Sequence, residues 1–261
     1  MFGIINQSLA PLRAEPFERS EMISQLIFGE TFSIVEKHRE WLRVNVSYDN
    51  YEGWIDTKLC EVIDEEQMNL LTIDGASRLA TCLFSTTKQG CEHPIKLCPG
   101  AVLYSFDKTM GTHSLVNEIY KTHSTPFAKE DDNQADTLLE VLRPFMNAPY
   151  LWGGRSPYGI DCSGLVQVAY KIMGYKIPRD ASQQVLNGET IDFLNLTKPG
   201  DLAFFDDEEG NIVHVGIILH NNKIVHSSGH VKVDLLDQQG VYSTSQKKYT
   251  HKLRVIKRVL Q

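Results

Sequence analysis

The apolar positions of this chain follow two different patterns, and the change falls near residue 129. Before that point they occur in short runs separated by turn residues, which is typical of β-strands. Beyond it they recur at every third or fourth position in two segments, and runs of strand type follow those segments. Helices first and a sheet afterwards indicate an α+β domain at residues 129–261, after an all-β region.

Residues 1–62 contain five predicted strands, enough for a small barrel. Residues 63–128 are less regular, with three predicted strands and a turn-bounded segment from Pro94 to Gly100. This second segment is either a second, divergent barrel or an extension of the first. The predicted strands are Ile4 and Ile5, Ser24–Ile27, Thr31–Glu36, Trp41–Val46 and Gly53–Ile55, then Leu79–Phe84, Ala101–Phe106 and Leu115–Tyr120.

In the C-terminal region the helical spacing predicts one helix over 131–147 and a second over 162–173. The residues Asp131–Asn133 suit the start of the first helix, and Pro144 is expected to break its last turn. Gly174 ends the second helix. The turn Lys198–Asp201 then introduces the predicted strands Leu202–Phe205, Ile212–Leu219 and Lys223–Ser227.

Composition narrows the possible partners. The 261 residues, 42% of them hydrophobic, are enough to bury a substantial core. A net charge of −7 without a basic cluster argues against nucleic acid or an anionic membrane as the partner, and an amine-bearing small substrate fits better.

No apolar run approaches the roughly 18 residues of a membrane span. Taking Met1 as the native start, the lack of a secretory signal predicts a cytoplasmic protein, and we expect a monomer.

The five cysteines are an odd number, so at least one thiol is not in an internal disulfide. In a cytoplasmic protein most of them should be reduced. Cys82, Cys91, His93 and Cys98 form a loose cluster, but their spacing lacks the paired pattern of a structural zinc site. We therefore expect scattered thiols there, and neither a metal nor another cofactor.

Cys162 is placed where the second predicted helix begins. Unpaired backbone N–H groups and the positive end of the helix dipole favour a thiolate at such a position, and a thiolate is the form that attacks a carbonyl. A free cysteine also packs as a small apolar residue, so an inert buried thiol is the alternative. The rest of the chain has to decide between the two.

A cysteine nucleophile needs a base within hydrogen-bond reach, and His214 and His226 lie on neighbouring predicted strands. A two-residue turn at Asn221 and Asn222 would point the two histidines to opposite faces of the sheet. A three-residue loop would pair Leu219 with Lys223 and place both histidines on one face, as diagonal neighbours. We predict the three-residue loop, which completes a catalytic triad.

Six further motifs stand in order along the C-terminal region: Tyr150–Gly154, Asp161–Val166, Pro178–Ser182, Lys198–Leu202, His214–Ile217 and Ile224–His226. They occur in the order found in NlpC-type cysteine peptidases, and residues 135–230 resemble that family. The segment from Leu26 to Trp54 resembles the bacterial SH3-like barrels that accompany cell-wall enzymes. The resemblance implies a papain-like catalytic domain after one or two SH3-like barrels, and cleavage of peptide or isopeptide bonds of cell walls.

The resemblance implies that Cys162 is the nucleophile, that His214 acts as base and then acid, and that His226 orients His214. The physical interpretation agrees with each role. Backbone N–H groups at the helix start, together with the Tyr150 hydroxyl, would stabilise the oxyanion.

The whole arrangement is similar to the γ-D-glutamyl-L-diamino acid endopeptidases of murein peptide recycling. This similarity implies a short murein peptide with a free N-terminal L-Ala, such as L-Ala-γ-D-Glu-diaminopimelate, cut between D-Glu and the diamino acid. A buried ammonium needs a carboxylate, and Asp161 beside Cys162 is the candidate. Arg179 is expected to be structural, paired with a local carboxylate.

Other candidate contacts each have a structural alternative. Glu21 and Tyr51 would reach the substrate from the barrel, or serve as an exposed charge and a packing residue. Ser163 and Ser182 would bind the peptide or the D-Glu carboxylate, although Ser163 could instead support the helix start. Trp152 either walls the pocket or packs in the core.

Three other functions remain open. A hydrolase of intact cell wall would need export and an open groove. A non-catalytic binder of wall peptides would need no catalytic residues, so the retention of Cys162, His214 and His226 argues against that function. An acyltransferase would use the same acyl-enzyme, captured by an amine instead of water.

Overall fold

A computed structural model of the chain describes residues 1–73, 77–127 and 134–260. The chain divides into two compact units, Met1–Glu130 and Asp131–Gln261, close to the predicted change of character. The predicted helix-capping residues Asp131–Asn133 lie outside the described residues. No helix in the described ranges combines the length and the apolar character that a membrane crossing needs.

The first 63 residues form an antiparallel sheet with the strand order β3-β2-β6-β5-β4-β1-β7. All five predicted strands are confirmed, and β2 and β7 were not predicted. Strand β2 contains Pro11, a residue that argues against a strand when only the sequence is read. Its Ala10 and Leu12 are nevertheless fully buried, beside Phe32 of the core. The strands are β1 (Phe2–Ile4), β2 (Leu9–Arg13), β3 (Met22–Ile27), β4 (Thr31–His38), β5 (Trp41–Val46), β6 (Glu52–Asp56) and β7 (Glu61–Ile63).

A helix, α1 (Glu65–Ile73), leads to a second sheet with the order β10-β9-β13-β12-β11-β8. The predicted strand Ala101–Phe106 is confirmed. The prediction Leu115–Tyr120 is wrong, because Val116 has φ 54° and turns the chain there. The prediction Leu79–Phe84 is also wrong, since its middle residues bond to loop carbonyls. The strands are β8 (Arg78–Leu79), β9 (Phe84–Lys88), β10 (Ile95–Leu97), β11 (Val102–Asp107), β12 (Thr112–Leu115) and β13 (Glu118–Thr122).

The C-terminal unit contains three α-helices, all counted within its described residues. The first, α2 (Gln134–Leu142), gives way to a 3₁₀ turn that contains Pro144, so the predicted break is confirmed. The second, α3 (Cys162–Ile172), is buried over nearly its whole length and packs against strands of the sheet. The third, α4 (Ala181–Gln184), is a single turn.

The strands of this unit form a main sheet, and α3 packs against two neighbouring strands of that sheet. In the main sheet the order is β16-β22-β17-β18-β19-β20-β21, and a further pairing of β21 with β22 closes six of these strands into a ring. The three predicted strands are confirmed as β17, β18 and β19. The strands are β14 (Arg155–Ser156), β15 (Gly159–Ile160), β16 (Glu189–Thr190), β17 (Leu202–Asp206), β18 (Ile212–Leu219), β19 (Lys223–Ser228), β20 (His230–Leu236), β21 (Gly240–Ser243) and β22 (Lys248–Arg258).

The hairpin between β18 and β19 has the predicted three-residue loop. Leu219 pairs with Lys223, and Ile217 pairs with Val225. The loop is possible because Asn221 and Asn222 adopt the left-handed conformation, with φ of 60° and 53°, which asparagine tolerates better than most residues. This register decides where His214 and His226 point.

Candidate active site

Cys162 is the first residue of α3 and is 7% exposed. The preceding Asp161 caps the helix, because its carboxylate accepts a 2.6 Å hydrogen bond from the Gly164 N–H. Helix α3 packs against β18, and the backbone N–H groups of Val215 and Ser163 approach the sulfur. The thiol therefore lies between the helix start and the strand that carries His214.

Burial raises the pKa of the Cys162 thiol to about 11, and the negative charge of Asp161 acts in the same direction. The N–H groups of Val215 and Ser163 and the charge of Arg179 lower the pKa, but they do not outweigh burial. The helix start therefore favours the thiolate, as predicted, but burial outweighs this effect in the resting protein. At neutral pH the sulfur carries its proton, and a base has to remove that proton before the sulfur can attack.

Two histidines and an aspartate form a chain of hydrogen bonds. Nε2 of His214 lies 2.9 Å from Nδ1 of His226, and Nε2 of His226 lies 3.2 Å from Oδ2 of Asp234. Nζ of Lys232 is also 3.2 Å from that oxygen. An ionised carboxylate only accepts hydrogen bonds, so His226 donates from Nε2 and accepts at Nδ1. His214 then donates from Nε2, which leaves its Nδ1 lone pair free.

Burial lowers the pKa of His214 well below its ordinary value, and the charges of His251, His226 and Lys232 add to the effect. Burial also lowers the pKa of His226, although the hydrogen bond to Asp234 opposes it. For Asp234 burial acts to raise the pKa, but the bonds from His226 and Lys232 prevail and lower it. Both imidazoles are therefore neutral at neutral pH and the carboxylate is ionised, as the hydrogen-bond directions require.

The arrangement can perform general base catalysis on a thiol. A protonated sulfur and a neutral imidazole with an unshared lone pair are the reactants of that proton transfer. Within the described ranges Sγ of Cys162 and the His214 ring make no direct hydrogen bond. The transfer therefore requires the closer approach that catalytic groups make when a substrate is bound.

Asp161 and Arg179 form a buried, bidentate ion pair, which confirms the structural role predicted for Arg179. Nη2 of Arg179 lies 2.6 Å from Oδ2 and Nη1 lies 3.0 Å from Oδ1. The same carboxylate accepts hydrogen bonds from the backbone of Gly153 and Gly164 and from the Ser163 hydroxyl. Its charge is thus balanced by Arg179 inside the protein. The role of Asp161 as the anchor of the substrate ammonium stays a prediction.

The other predicted residues of this unit divide into buried and exposed ones. Ser163 is 7% exposed and accepts a 2.8 Å hydrogen bond from Arg179, which fits its structural alternative. Ser182 is exposed on α4. Trp152 is 61% exposed, so its core-packing alternative is wrong. Burial raises the pKa of Tyr150 to about 12, with a contribution from Cys162, so the phenol stays protonated beside the thiol.

Glu21 and Tyr51 belong to the N-terminal unit. Tyr51 is half-buried and packs against the core of the first sheet, as its structural alternative states. Glu21 is exposed just before β3. Their roles as substrate contacts stay predictions.

Two residues at the site were not predicted, Asp234 and His251. Asp234 lies on β20, where His226 pairs with Lys232, so it occupies the same-face diagonal position to His226. The ring of His251 on β22 stacks on His214 with centroids 4.1 Å apart and 20° between the planes. A hairpin around Gly229 could have been read from the sequence and would have placed Asp234 near His226. No local pattern in the sequence points to His251.

The three imidazoles are also the one group of possible metal ligands among the described residues, with ligand atoms within 4.8 Å of one another. Zinc ligands must converge on one point. The rings of His214 and His251 are stacked, so lone pairs in their two planes do not converge on one point, and His214 and His226 already share a hydrogen bond. The cluster is therefore better suited to proton transfer than to a metal. Within the described ranges Cys82, Cys91, His93 and Cys98 form no such group.

Known proteins match this chain in sequence over most of its length and most of their own. Residues 147–254 match the NlpC/P60 family, and residues 12–58 match the bacterial dipeptidyl-peptidase SH3 domain. The chain is 30% identical to a γ-D-glutamyl-L-lysine dipeptidyl-peptidase of Bacillus subtilis, over 78% of this chain and 71% of that protein. It is 27% identical to the dipeptidyl-peptidase 6 of Lysinibacillus sphaericus, over 92% of this chain and 93% of that protein.

The fold has a close match among solved structures. An NlpC/P60 family protein from Bacillus cereus superposes with a TM-score of 0.82, covers 100% of both chains and is 20% identical. The predicted α+β catalytic domain after an all-β SH3-like region is thereby confirmed. From the family match and the relative that is 30% identical over 78% of the chain, we conclude that this chain belongs to the NlpC/P60 family of cysteine peptidases.

Proposed function

We propose that this peptidase hydrolyses the bond between the γ-carboxyl of D-Glu and a diamino acid in short murein peptides that begin with a free L-Ala. We further propose that it does so in the cytoplasm, as a monomer, in the recycling of peptidoglycan. The observation that carries the chemistry is the chain of hydrogen bonds from His214 through His226 to Asp234 beside a buried thiol. The relatives named as γ-D-glutamyl-L-lysine and other dipeptidyl-peptidases support the substrate class.

In the first step Nδ1 of His214 takes the proton from Sγ of Cys162 as the sulfur attacks the D-Glu γ-carbonyl. The concerted transfer suits a thiol whose pKa is about 11, because a resting thiolate is not needed. The positive charge that develops on His214 is stabilised through its Nε2–H bond to His226 and by the ionised Asp234 beyond it.

The oxyanion forms at the start of α3. The first N–H groups of a helix have no partner inside the helix, so that of Cys162 can donate to it. Tyr150 supplies a further donor, since it keeps its proton and lies close enough to Cys162 for a charge on that sulfur to raise its pKa. His214 then protonates the departing amine, and water releases the dipeptide from the thioester.

The experiment is product analysis by mass spectrometry with defined peptides. L-Ala-γ-D-Glu-L-Lys and L-Ala-γ-D-Glu-diaminopimelate are incubated with the wild type, Cys162→Ala and the matched thiol control Cys91→Ala, whose side chain is exposed. We expect the dipeptide L-Ala-D-Glu and the free diamino acid from the wild type and Cys91→Ala only. N-acetylation of the peptide should reduce cleavage severely. Equal cleavage of acetylated peptide, or release of fragments from intact sacculi, would favour a cell-wall hydrolase instead.

A further inference from the structure

The imidazole of His251 lies flat on the His214 ring, closer than any other aromatic contact of His214 in the described ranges. The two centroids are 4.1 Å apart, against 5.2 Å for His226 and 5.7 Å for Phe205. We propose that His251 is a positioning residue that holds the His214 ring and shields it from water, so that His214 remains a neutral base in mildly acidic conditions. The proposal rests on the roles given above to Cys162 and His214, and not on the identity of the peptide.

Solvent in the neighbouring cleft can reach His251 but not His214. His251 lines an open cleft of about 540 Å³, together with Phe205, Val213 and Thr250 and the acidic loop between β17 and β18. His214 is not among the residues that line this cleft, and it is only 6% exposed. One face of the His251 ring therefore covers His214, while His251 also borders the open cleft.

The position of His251 is determined by β21 and by its neighbour Thr250. Val241 pairs with His251 across the two strands. Gly240 passes so close to the His251 carbonyl that a Cβ at this glycine would overlap the oxygen. The Thr250 hydroxyl lies 3.4 Å from the Val241 carbonyl and 2.9 Å from Nδ1 of His251. Because the hydroxyl donates its one proton to the carbonyl, it accepts from Nδ1–H of a neutral His251 ring.

The groups around the stacked pair favour neutral rings. His214 is faced by His226 from β19, Lys232 from β20, His251 from β22 and the uncharged Cys162 thiol from α3. The carboxylate of Asp234, whose charge acts on His251, is bonded to His226. Burial, followed by the charges of His226 and Lys232, lowers the pKa of His251 to about 4. His251 can therefore cover His214 without adding a positive charge above about pH 5.

Removal of the His251 ring should open His214 to water and return its pKa toward the ordinary value. A histidine with a pKa of about 6.5 is about nine-tenths protonated at pH 5.5. The ratio of kcat/KM at pH 5.5 to that at pH 8 should then fall by about tenfold in His251→Ala. His251→Asn should change the ratio in the same direction. His251→Phe keeps the covering ring and should stay close to the wild type.

The test measures this ratio twice, for peptide hydrolysis and for alkylation of Cys162 by iodoacetamide, which needs no peptide substrate. His220→Ala, at an exposed loop position, is the control for removal of one imidazole and should leave both ratios unchanged. A fall in both ratios for the Ala and Asn variants but not for Phe supports the proposal. A fall in the alkylation ratio without any peptide hydrolysis supports it too, and rejects the proposed function alone.

Three results would overturn the proposal. The ratios could stay at the wild-type value in His251→Ala and His251→Asn, or fall as far in His251→Phe as in His251→Ala. Activity could also drop by the same factor at both pH values, which is the behaviour of a merely structural residue.

Discussion

Replacing Arg179 with methionine tests how the helix start at Cys162 is held. Arg179 and Asp161 have side-chain exposures of 1% and 6%, and the shortest of their contacts is 2.6 Å. The substitution removes both bonds to Asp161 and the one to the Ser163 hydroxyl. The Asp161 carboxylate then remains buried as an unpaired charge.

Breaking a buried ion pair by removal of one partner costs about 3–5 kcal/mol, mainly because the remaining charge is uncompensated. We expect this loss of stability for Arg179→Met. For a domain of this size it corresponds to a fall of about 12–20 °C in Tm. Asp161→Asn added to Arg179→Met should recover at least about 2 kcal/mol, because asparagine can still cap α3 but carries no charge.

The assay must report on the C-terminal unit alone. Hydrogen exchange of peptides from α3, followed as a function of urea concentration, gives the free energy of opening at the helix start. Arg143→Met is the matched control, since its ion pair with Glu140 is exposed and should contribute less than about 0.5 kcal/mol. A cost below about 1 kcal/mol for Arg179→Met, or strict additivity with Asp161→Asn, would show that the ion pair does not hold the helix start.

Three further predictions concern the reacting groups and their support. Asp234→Asn removes the ionised acceptor of His226, so kcat should fall about tenfold with little change in KM, measured by steady-state kinetics. Because the thiol pKa of Cys162 is raised, its alkylation by iodoacetamide should be at least about tenfold faster at pH 10 than at pH 7; full reactivity at pH 7 would indicate a resting thiolate. Gly164→Ala should destabilise the unit by about 1–3 kcal/mol in urea unfolding, since a Cβ there would overlap the Gly154 carbonyl.

The parts of the site that follow from local patterns could be predicted from the sequence. Helix α3 begins at Cys162, as the helical spacing indicates. The three-residue loop at 220–222 brings His214 and His226 to one face, because register along two adjacent strands depends only on loop length.

The parts that depend on distant contacts could not be predicted. His251 reaches His214 from β22 because β22 lies beside β17 in a closed ring of strands, a pairing that no local pattern encodes. Strand β2 was missed because Pro11 argues against a strand, although its partner strands supply the packing that overrides this preference.

The protonation state of the thiol is also a tertiary property. The helix start acts on Cys162 in the predicted direction, but burial by the surrounding unit outweighs it and raises the pKa. In the same way, the sequence predicted that Arg179 pairs with a carboxylate, and only the folded chain identifies that carboxylate as Asp161, 18 residues away.

We propose above all that Cys162 cuts the γ-D-glutamyl bond of a short murein peptide. Mass-spectrometric analysis of L-Ala-γ-D-Glu-L-Lys, after incubation with the wild type and with Cys162→Ala, measures this directly. If the proposal is right, the wild type releases L-Ala-D-Glu and lysine, and the variant leaves the tripeptide unchanged. Dipeptide release by Cys162→Ala at the wild-type rate, or cleavage by the wild type at the L-Ala–D-Glu bond instead, would contradict it.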